Sequence, residues 1–286
     1  MELSEFLTRI DLKGADGTLF KREEKDVKIV SNGIERVEKK VGINAYTFFD
    51  NGSAGAVGFI MNDKEFPDEV FKMNPSILKK ILEESQDIQI EDTFLVGKSN
   101  HGDIREDIEP AKWRTIKAKY DSPPIRIKKD IISRIIRRSQ IIDPNRITLK
   151  SDGKELTIMM YSRIGSSTSE VKIPCDQIVE TEPEGSMFLE ILDRIGDQDV
   201  SLYVDAVNPE GRKRSPTKIE ITDKTSVISY YVAETHVSTS KPKEEEKPKK
   251  SKKKDKETTA ESNTETETGT ENEEEQKVPE GLNLDL

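Results

Sequence analysis

The chain is short of the residues that most catalytic and metal chemistry draws on. Its 286 residues include one cysteine, Cys175, and two histidines, His101 and His236. A single cysteine excludes an intramolecular disulfide framework, and with two scattered histidines it does not make a zinc cage. There is no glycine-rich phosphate loop ending in Gly-Lys-Ser or Gly-Lys-Thr, no Gly-x-Ser-x-Gly elbow and no pair of histidines at metal-binding spacing. Cys175 lacks a general base near it in sequence and reads as a buried or edge thiol. Asp103, Glu106, Asp107 and Glu109 lack the glycine punctuation of a calcium loop and read as a solvated acidic loop from Asp103 to Glu109. This inventory predicts no enzyme, no metal and no cofactor.

Long apolar runs are missing too. No stretch approaches the ~20 residues of a membrane span, and MELSEFLTRIDL lacks the basic flank and apolar core of a signal peptide. The expectation is an intracellular chain without a membrane partner. Aromatic residues stop before Val237, and from there to Leu286 almost nothing is apolar until the end. Such a segment cannot bury enough surface to offset its ordering entropy, so 237–286 is predicted to be a disordered charged tail. It holds ten lysines and fourteen acidic residues, four of the ten net negative charges. The remainder is only mildly acidic, which excludes a strongly basic domain but not basic residues segregated on one surface. Within the tail, KPKKSKKKDK reads as a solvated lysine cluster of a low-complexity linker, with transient phosphate contact and a nuclear address as the alternatives. The closing GLNLDL, with Leu282, Leu284 and Leu286 alternating beside Glu280 and Asp285, has the pattern of a tethered docking peptide.

What is present is a repeating alternation of short helices and strands. PIRIKKDIISRIIRRSQII, residues 124–142, is an extended run opening into an amphipathic helix. At ~100° per residue, Ile131, Ile132, Ile135, Ile136 and Ile142 share one side, and Ser133, Arg134, Arg137 and Arg138 share the other. Asp143-Pro144-Asn145 stops it, and strands follow, divided at Asp152-Gly153 and Ile164-Gly165-Ser166. SMFLEILDRIG reads as a second helix with Arg194 outward, before strands in VSLYVDAV, PTKIEIT and SVISYYVAE. The first half has the same order. A short helix carries Leu3, Phe6, Leu7 and Ile10 on one face, and strands follow, broken at Asp16-Gly17 and Asn32-Gly33. Asn74 then caps a helix with Pro75 at its first position and Lys79 and Lys80 outward. The strands DIQIED and TFLVGKS come next, with KWRTIKAKY (112–120) expected as a terminal strand. Between the halves, the paired prolines at 123 and 124 predict an extended linker.

Two similar halves joined by a linker, four helices with outward Lys or Arg, and a last strand ending Tyr230-Tyr231-Val232-Ala233-Glu234 resemble a DNA sliding clamp. That family includes proliferating-cell nuclear antigen and the clamps of large tailed phages. Its eukaryotic and archaeal members typically end that strand Tyr-Tyr-Leu-Ala-Pro, so Glu234 departs from the pattern, and the charged tail is extra. The resemblance implies an α+β fold of two clamp domains, 1–118 and 125–236, joined by 119–124. Sheets would lie outside and helices on the inner face, with three copies closing a ring around duplex DNA. It also implies a DNA polymerase and a clamp loader as partners, in the cytoplasm or wherever the DNA is replicated.

A sliding contact requires diffuse attraction to phosphates without base readout. Arg134, Arg137, Arg138, Lys79, Lys80 and Arg194 are the candidate DNA contacts, with Arg9 a weaker one because Glu5 shares its face. By position in the family, Tyr120, Tyr231 and Ala233 are candidates to line a groove for partner peptides, with Val232 facing the other way. Leu282, Leu284 and Leu286 are candidates for a partner-binding motif. Two other readings fit the residues: a monomeric DNA-binding processivity or transcription accessory factor, and a non-enzymatic viral scaffold or interaction protein that uses its core to carry the tail.

Overall fold

The computed structural model describes residues 1–31, 34–62, 65–85, 87–114, 116, 118–205 and 215–235. The element order repeats four times as a helix followed by three strands. The first repeat is α1 (Leu3–Ile10), β1 (Gly17–Ser31), β2 (Ile34–Phe48) and β3 (Ala54–Met61). The second is α2 (Pro75–Glu84), β5 (Asp87–Glu91), β6 (Phe94–Lys98) and β7 (Ile104–Asp107), with β4 (Phe71–Met73) ahead of it and β8 (Glu109–Pro110) behind. After β9 (Ile125–Ile127), the third is α3 (Lys129–Ile142), β10 (Pro144–Asp152), β11 (Glu155–Ser162) and β12 (Thr168–Pro174). After β13 (Ile178–Thr181), the fourth is α4 (Gly185–Arg194), β14 (Val200–Tyr203), β15 (Thr217–Thr222) and β16 (Ser226–Val232).

All strand pairs are antiparallel, and the largest sheet crosses the two halves in the order β8-β4-β1-β2-β3-β16-β15-β14-β9. Its central joint is β3 on β16, in register from Ala54↔Val232 to Ile60↔Ser226. Separate sheets β12-β11-β10-β13 and β5-β6-β7 complete the β structure. Turn chemistry follows the sequence: Gly153 and Gly165 sit at φ +90° and +83° in the turns after β10 and β11, where a side chain would be strained. Asp143 ends α3 in the left-handed region. The expected turn at Asn32-Gly33, the end of VSLYVDAV and the tail lie outside the described residues.

Strand alternation sorts the two faces of the long sheet. In β16, Ser226, Ile228, Tyr230 and Val232 are buried while Val227, Ser229 and Tyr231 are half-buried. The buried side meets the helices. Phe6, Leu7 and Ile10 of α1, Leu78 and Ile81 of α2, Ile132 and Ile135 of α3, and Phe188, Ile191 and Leu192 of α4 enter one core. Burying each such side chain contributes roughly 1.5–3 kcal/mol. The helices form a row: α1 packs on α2 and α3 packs on α4, while side-chain bonds join α1 to α4.

The opposite face has a smaller cluster, Leu19, Tyr46 and Phe48, covered by Ala111, Trp113 and Ile116. This corrects one expectation: the described residues of 112–120 form no terminal strand. The β4–β8 ladder ends at Pro110, which has no N–H to offer. Trp113 and Ile116, three apart instead of two, then lie on the sheet face opposite the helices, with the Trp113 ring 6.3 Å from Tyr46 and Lys21 Nζ 4.6 Å from its centroid. A second correction concerns Asp103 to Glu109, which is not a loop. Residues 104–107 form β7, paired with β6 from Phe94↔Asp107 to Gly97↔Ile104, because Ile104 and Ile108 share a strand face and Ile108 is buried.

Gly58 fixes how closely α1 meets the sheet, since a Cβ there would lie 2.7 Å from Phe6 Cε2 and 3.2 Å from Ile10 Cδ1. Gly58→Ala is expected to destabilise the fold by about 1–3 kcal/mol, read as a lower thermal midpoint; an unchanged midpoint would contradict this packing.

Candidate nucleic-acid interface

Three helices of the row are anchored at their N-termini by side-chain contacts. Asn74 Oδ1 accepts from the Ser76 and Ile77 amides at 2.8 and 3.3 Å, capping α2. The Glu184 carboxylate caps α4 through the Met187 amide at 2.7 Å. α3 has no cap from Lys128; instead Asp199 Oδ1 accepts from the Lys129 amide at 2.9 Å. An aspartate before another strand thereby satisfies one of the free N–H groups at the start of α3.

The outward surface of α3 carries two arginines free of ion pairs. Arg134 and Arg137 are exposed, and neither forms an ion pair among the described residues. Arg138 donates through Nη1 to the Glu170 carbonyl on β12, so it also reaches the strand beside it. On α2, Lys80 is exposed, and Lys79 Nζ donates to Thr8 Oγ1 at 3.3 Å. Lys128 and Lys129 at the start of α3 are exposed too. Sequence spacing does not mark them: Lys128 precedes the helix, and Asp130, not Lys129, is in line with Arg134 and Arg137.

The middle of the row is different, because its cations are occupied. Arg194 Nη1 donates to the Thr8 carbonyl at 2.9 Å and Nη2 to Glu190 Oε1 at 3.0 Å. Thr8 is in the last turn of α1, where carbonyls lack helical partners. Arg9 is only 5% exposed and cannot present its charge outward as the helical wheel suggested. Its Nη2 donates to Glu5 Oε1 at 2.8 Å and to Asp197 Oδ1 at 2.9 Å. Burial pulls its pKa down, but the bonds to Asp197 and Glu5 outweigh this and raise it. The reason is tertiary: Asp197, just past α4, takes the place that solvent would have. Tyr230 OH also donates to the Arg9 carbonyl at 3.1 Å.

On the other side of the sheet, Tyr231 lies in a cross-strand row. The register places Tyr203 opposite Lys218, and Lys218 opposite Tyr231. Lys218 Nζ sits 3.7 Å from the Tyr203 centroid, and the Tyr120 ring is 5.6 Å from Tyr203. Tyr120 OH donates to the Pro216 carbonyl, which fixes 118–124 over the second half of the sheet. Burial pushes the Tyr120 and Tyr231 hydroxyls above their ordinary range. The Ala233 amide donates to the Ser53 carbonyl at 2.9 Å, and its carbonyl accepts from the Glu184 amide at 2.9 Å. Tyr120, Tyr231 and Ala233 are thus in one region, joined by Tyr203 and Lys218, which strand alternation alone could not place without the register. Leu282, Leu284 and Leu286 lie outside the described residues.

Among the described residues no group of three or more His, Cys, Asp or Glu is placed to hold a metal ion. No described helix is long and apolar enough to cross a membrane.

No protein-family profile matches the chain, and no curated protein sequence matches it. Solved structures do. Proliferating cellular nuclear antigen from Entamoeba histolytica is 12% identical, with 82% of this chain and 96% of that one covered at a TM-score of 0.55. PCNA from Thermococcus kodakaraensis is 10% identical over 81% and 95% of the two chains, with a TM-score of 0.56. A. fulgidus PCNA, solved with the C-terminal region of FEN-1 bound, is 10% identical over 82% and 95%, with a TM-score of 0.55.

The two classes of arginine should separate on heating. Arg9→Met is expected to lower stability by about 1–3 kcal/mol, since it removes a buried, multiply bonded group. Arg137→Met should stay within about 0.5 kcal/mol, and equal thermal shifts would contradict the assignment. The antiparallel sheets, the row of four helices and the nearly complete cover of three solved clamps together give this chain the α+β fold of PCNA-type clamps.

Proposed function

We propose that this chain is a DNA sliding clamp: three copies form a ring around duplex DNA, and its outer surface tethers a DNA polymerase and other DNA-processing proteins. The reading divides the chain into clamp domains 1–118 and 125–236, a linker at 119–124 and a charged tail at 237–286. A clamp loader opens and closes the ring. The observation that carries the proposal is the unpaired positive stripe on α3, set in a helix row on one face of a continuous sheet. Arg134 and Arg137 are exposed there without acidic partners among the described residues.

In this reading the cations act on phosphates alone, so the ring is held without being pinned to a sequence. Arg134, Arg137, Arg138, Lys79 and Lys80 make the contacts. Arg194 contributes little and Arg9 none, because their donors already serve α1 and α4. Excess negative charge elsewhere keeps DNA off the outside. Partner peptides bind over Tyr120, Tyr231 and Ala233. The peptide bound to A. fulgidus PCNA supports a peptide-binding role for the fold. The terminal leucines of the tail serve as a tethered docking motif.

The test is equilibrium binding to short duplexes of unrelated sequence across a salt series. Affinity should be equal among sequences and fall with salt. Arg134→Glu/Arg137→Glu should reduce the log–log slope by roughly one for each lost phosphate contact, while Arg194→Gln leaves it nearly unchanged. Sequence-selective binding, or an unaffected slope in the double variant, would reject the proposal.

A further inference from the structure

The turn between β11 and β12 holds an apolar side chain in solvent. Ile164 is 82% exposed, more than any other large apolar residue described. Its backbone is fixed from both sides: Ser162 Oγ accepts from the Ile164 amide at 3.2 Å and donates to the Ile164 carbonyl at 2.9 Å. The Ser162 amide donates to the Ser167 carbonyl at 2.9 Å and closes the base of the turn, while the Arg163 amide donates to the Asp143 carbonyl at 3.0 Å. The Arg163 side chain is exposed too. Its Nε lies 3.7 Å from Asp143 Oδ2, and its two Nη groups have no partner among the described residues. A tip that is already ordered loses little freedom when another surface encloses it.

A cavity of complementary character opens in the first half of the chain. Its volume is about 530 Å³, and it lies where the α1–β1 loop, the start of α2 and the segment between β7 and β8 meet. Leu12, Met73, Pro75 and Ile108 are buried residues that line it. Five carboxylates and two lysines make up its charged lining. Three of the carboxylates are engaged: Asp11 accepts from Ser76 Oγ at 2.7 Å, Asp16 from the Asp50 amide at 2.6 Å, and Glu109 pairs with Lys72 at 3.0 Å. The carboxylates of Glu106 and Asp107 have no partner among the described residues. Apolar lining beneath free carboxylates suits an occupant with hydrocarbon to bury and a cation beside it.

We propose that this cavity receives the Arg163–Ile164 turn of a second copy of the chain, with Ile164 on the apolar lining and Arg163 against Glu106 and Asp107. The charges are opposite, and such a pair fixes which surfaces meet and in what orientation. Neither surface complements itself, since the turn is basic and the cavity acidic. Association is therefore head to tail: each copy gives its turn to one neighbour and its cavity to the other, the contact type that closes into rings. The inference rests on the ring reading above and adds to it the residues that join the copies.

Sedimentation equilibrium of the full chain tests it with Ile164→Ser, Arg163→Glu and the charge swap Arg163→Glu/Glu106→Lys/Asp107→Lys. Thermal midpoints by circular dichroism check that each variant folds. Ile164→Ser and Arg163→Glu should each weaken association by about tenfold or more, and the charge swap should regain most of what Arg163→Glu loses. If the wild-type chain associates and both single variants associate as tightly, this inference is overturned and the ring reading stands, leaving the cavity to a basic segment of another protein. A charge swap as weak as Arg163→Glu alone would overturn the pairing of turn with cavity. A wild-type chain that stays monomeric would overturn both readings together.

Discussion

The antiparallel joint between β3 and β16 is the constraint on which the rest depends. It connects the first repeat to the last across more than 160 residues of chain, turning two sets of short strands into one nine-stranded surface. Forming it carries a loop-closure cost that only the packing behind it offsets. That packing is α1 and α4 side by side, with Phe6 against Gly58 and Arg9 held between Glu5 and Asp197. Tyr230 belongs to both, since its backbone lies in β16 and its hydroxyl meets the Arg9 carbonyl.

From that joint follows the division of charge. Where α1 meets α4, cations are consumed in holding the halves together; at the outer helices of the row they remain available. An arginine in the middle of such a surface and one at its end have the same sequence signature and opposite uses. The aromatic row on the other face follows from the same register, because Tyr231 is placed beside Lys218 and Tyr203 only once β14, β15 and β16 are aligned.

Much of the architecture was legible in local pattern. The isoleucine stripe of α3, the Asn74-Pro75 start of α2, and the turns at Gly153 and Gly165 each rest on residues within a few positions of one another. The alternation in β16 correctly put Val232 on the face opposite Tyr231. What was not legible depended on distant residues. Arg9 looked outward because Asp197, its partner, lies 188 positions away. Trp113 looked like part of a strand because its aromatic platform, Tyr46, belongs to another element. β7 was hidden by its acidic residues, whose charge outweighed the Ile104–Ile108 alternation when read alone.

The most direct measurement of the sliding-clamp account is the mass of the chain in solution, by sedimentation equilibrium over a wide concentration range. The account predicts a discrete species of three 32.4 kDa chains. A monomer at every concentration would contradict it, because the account requires three copies to close the ring.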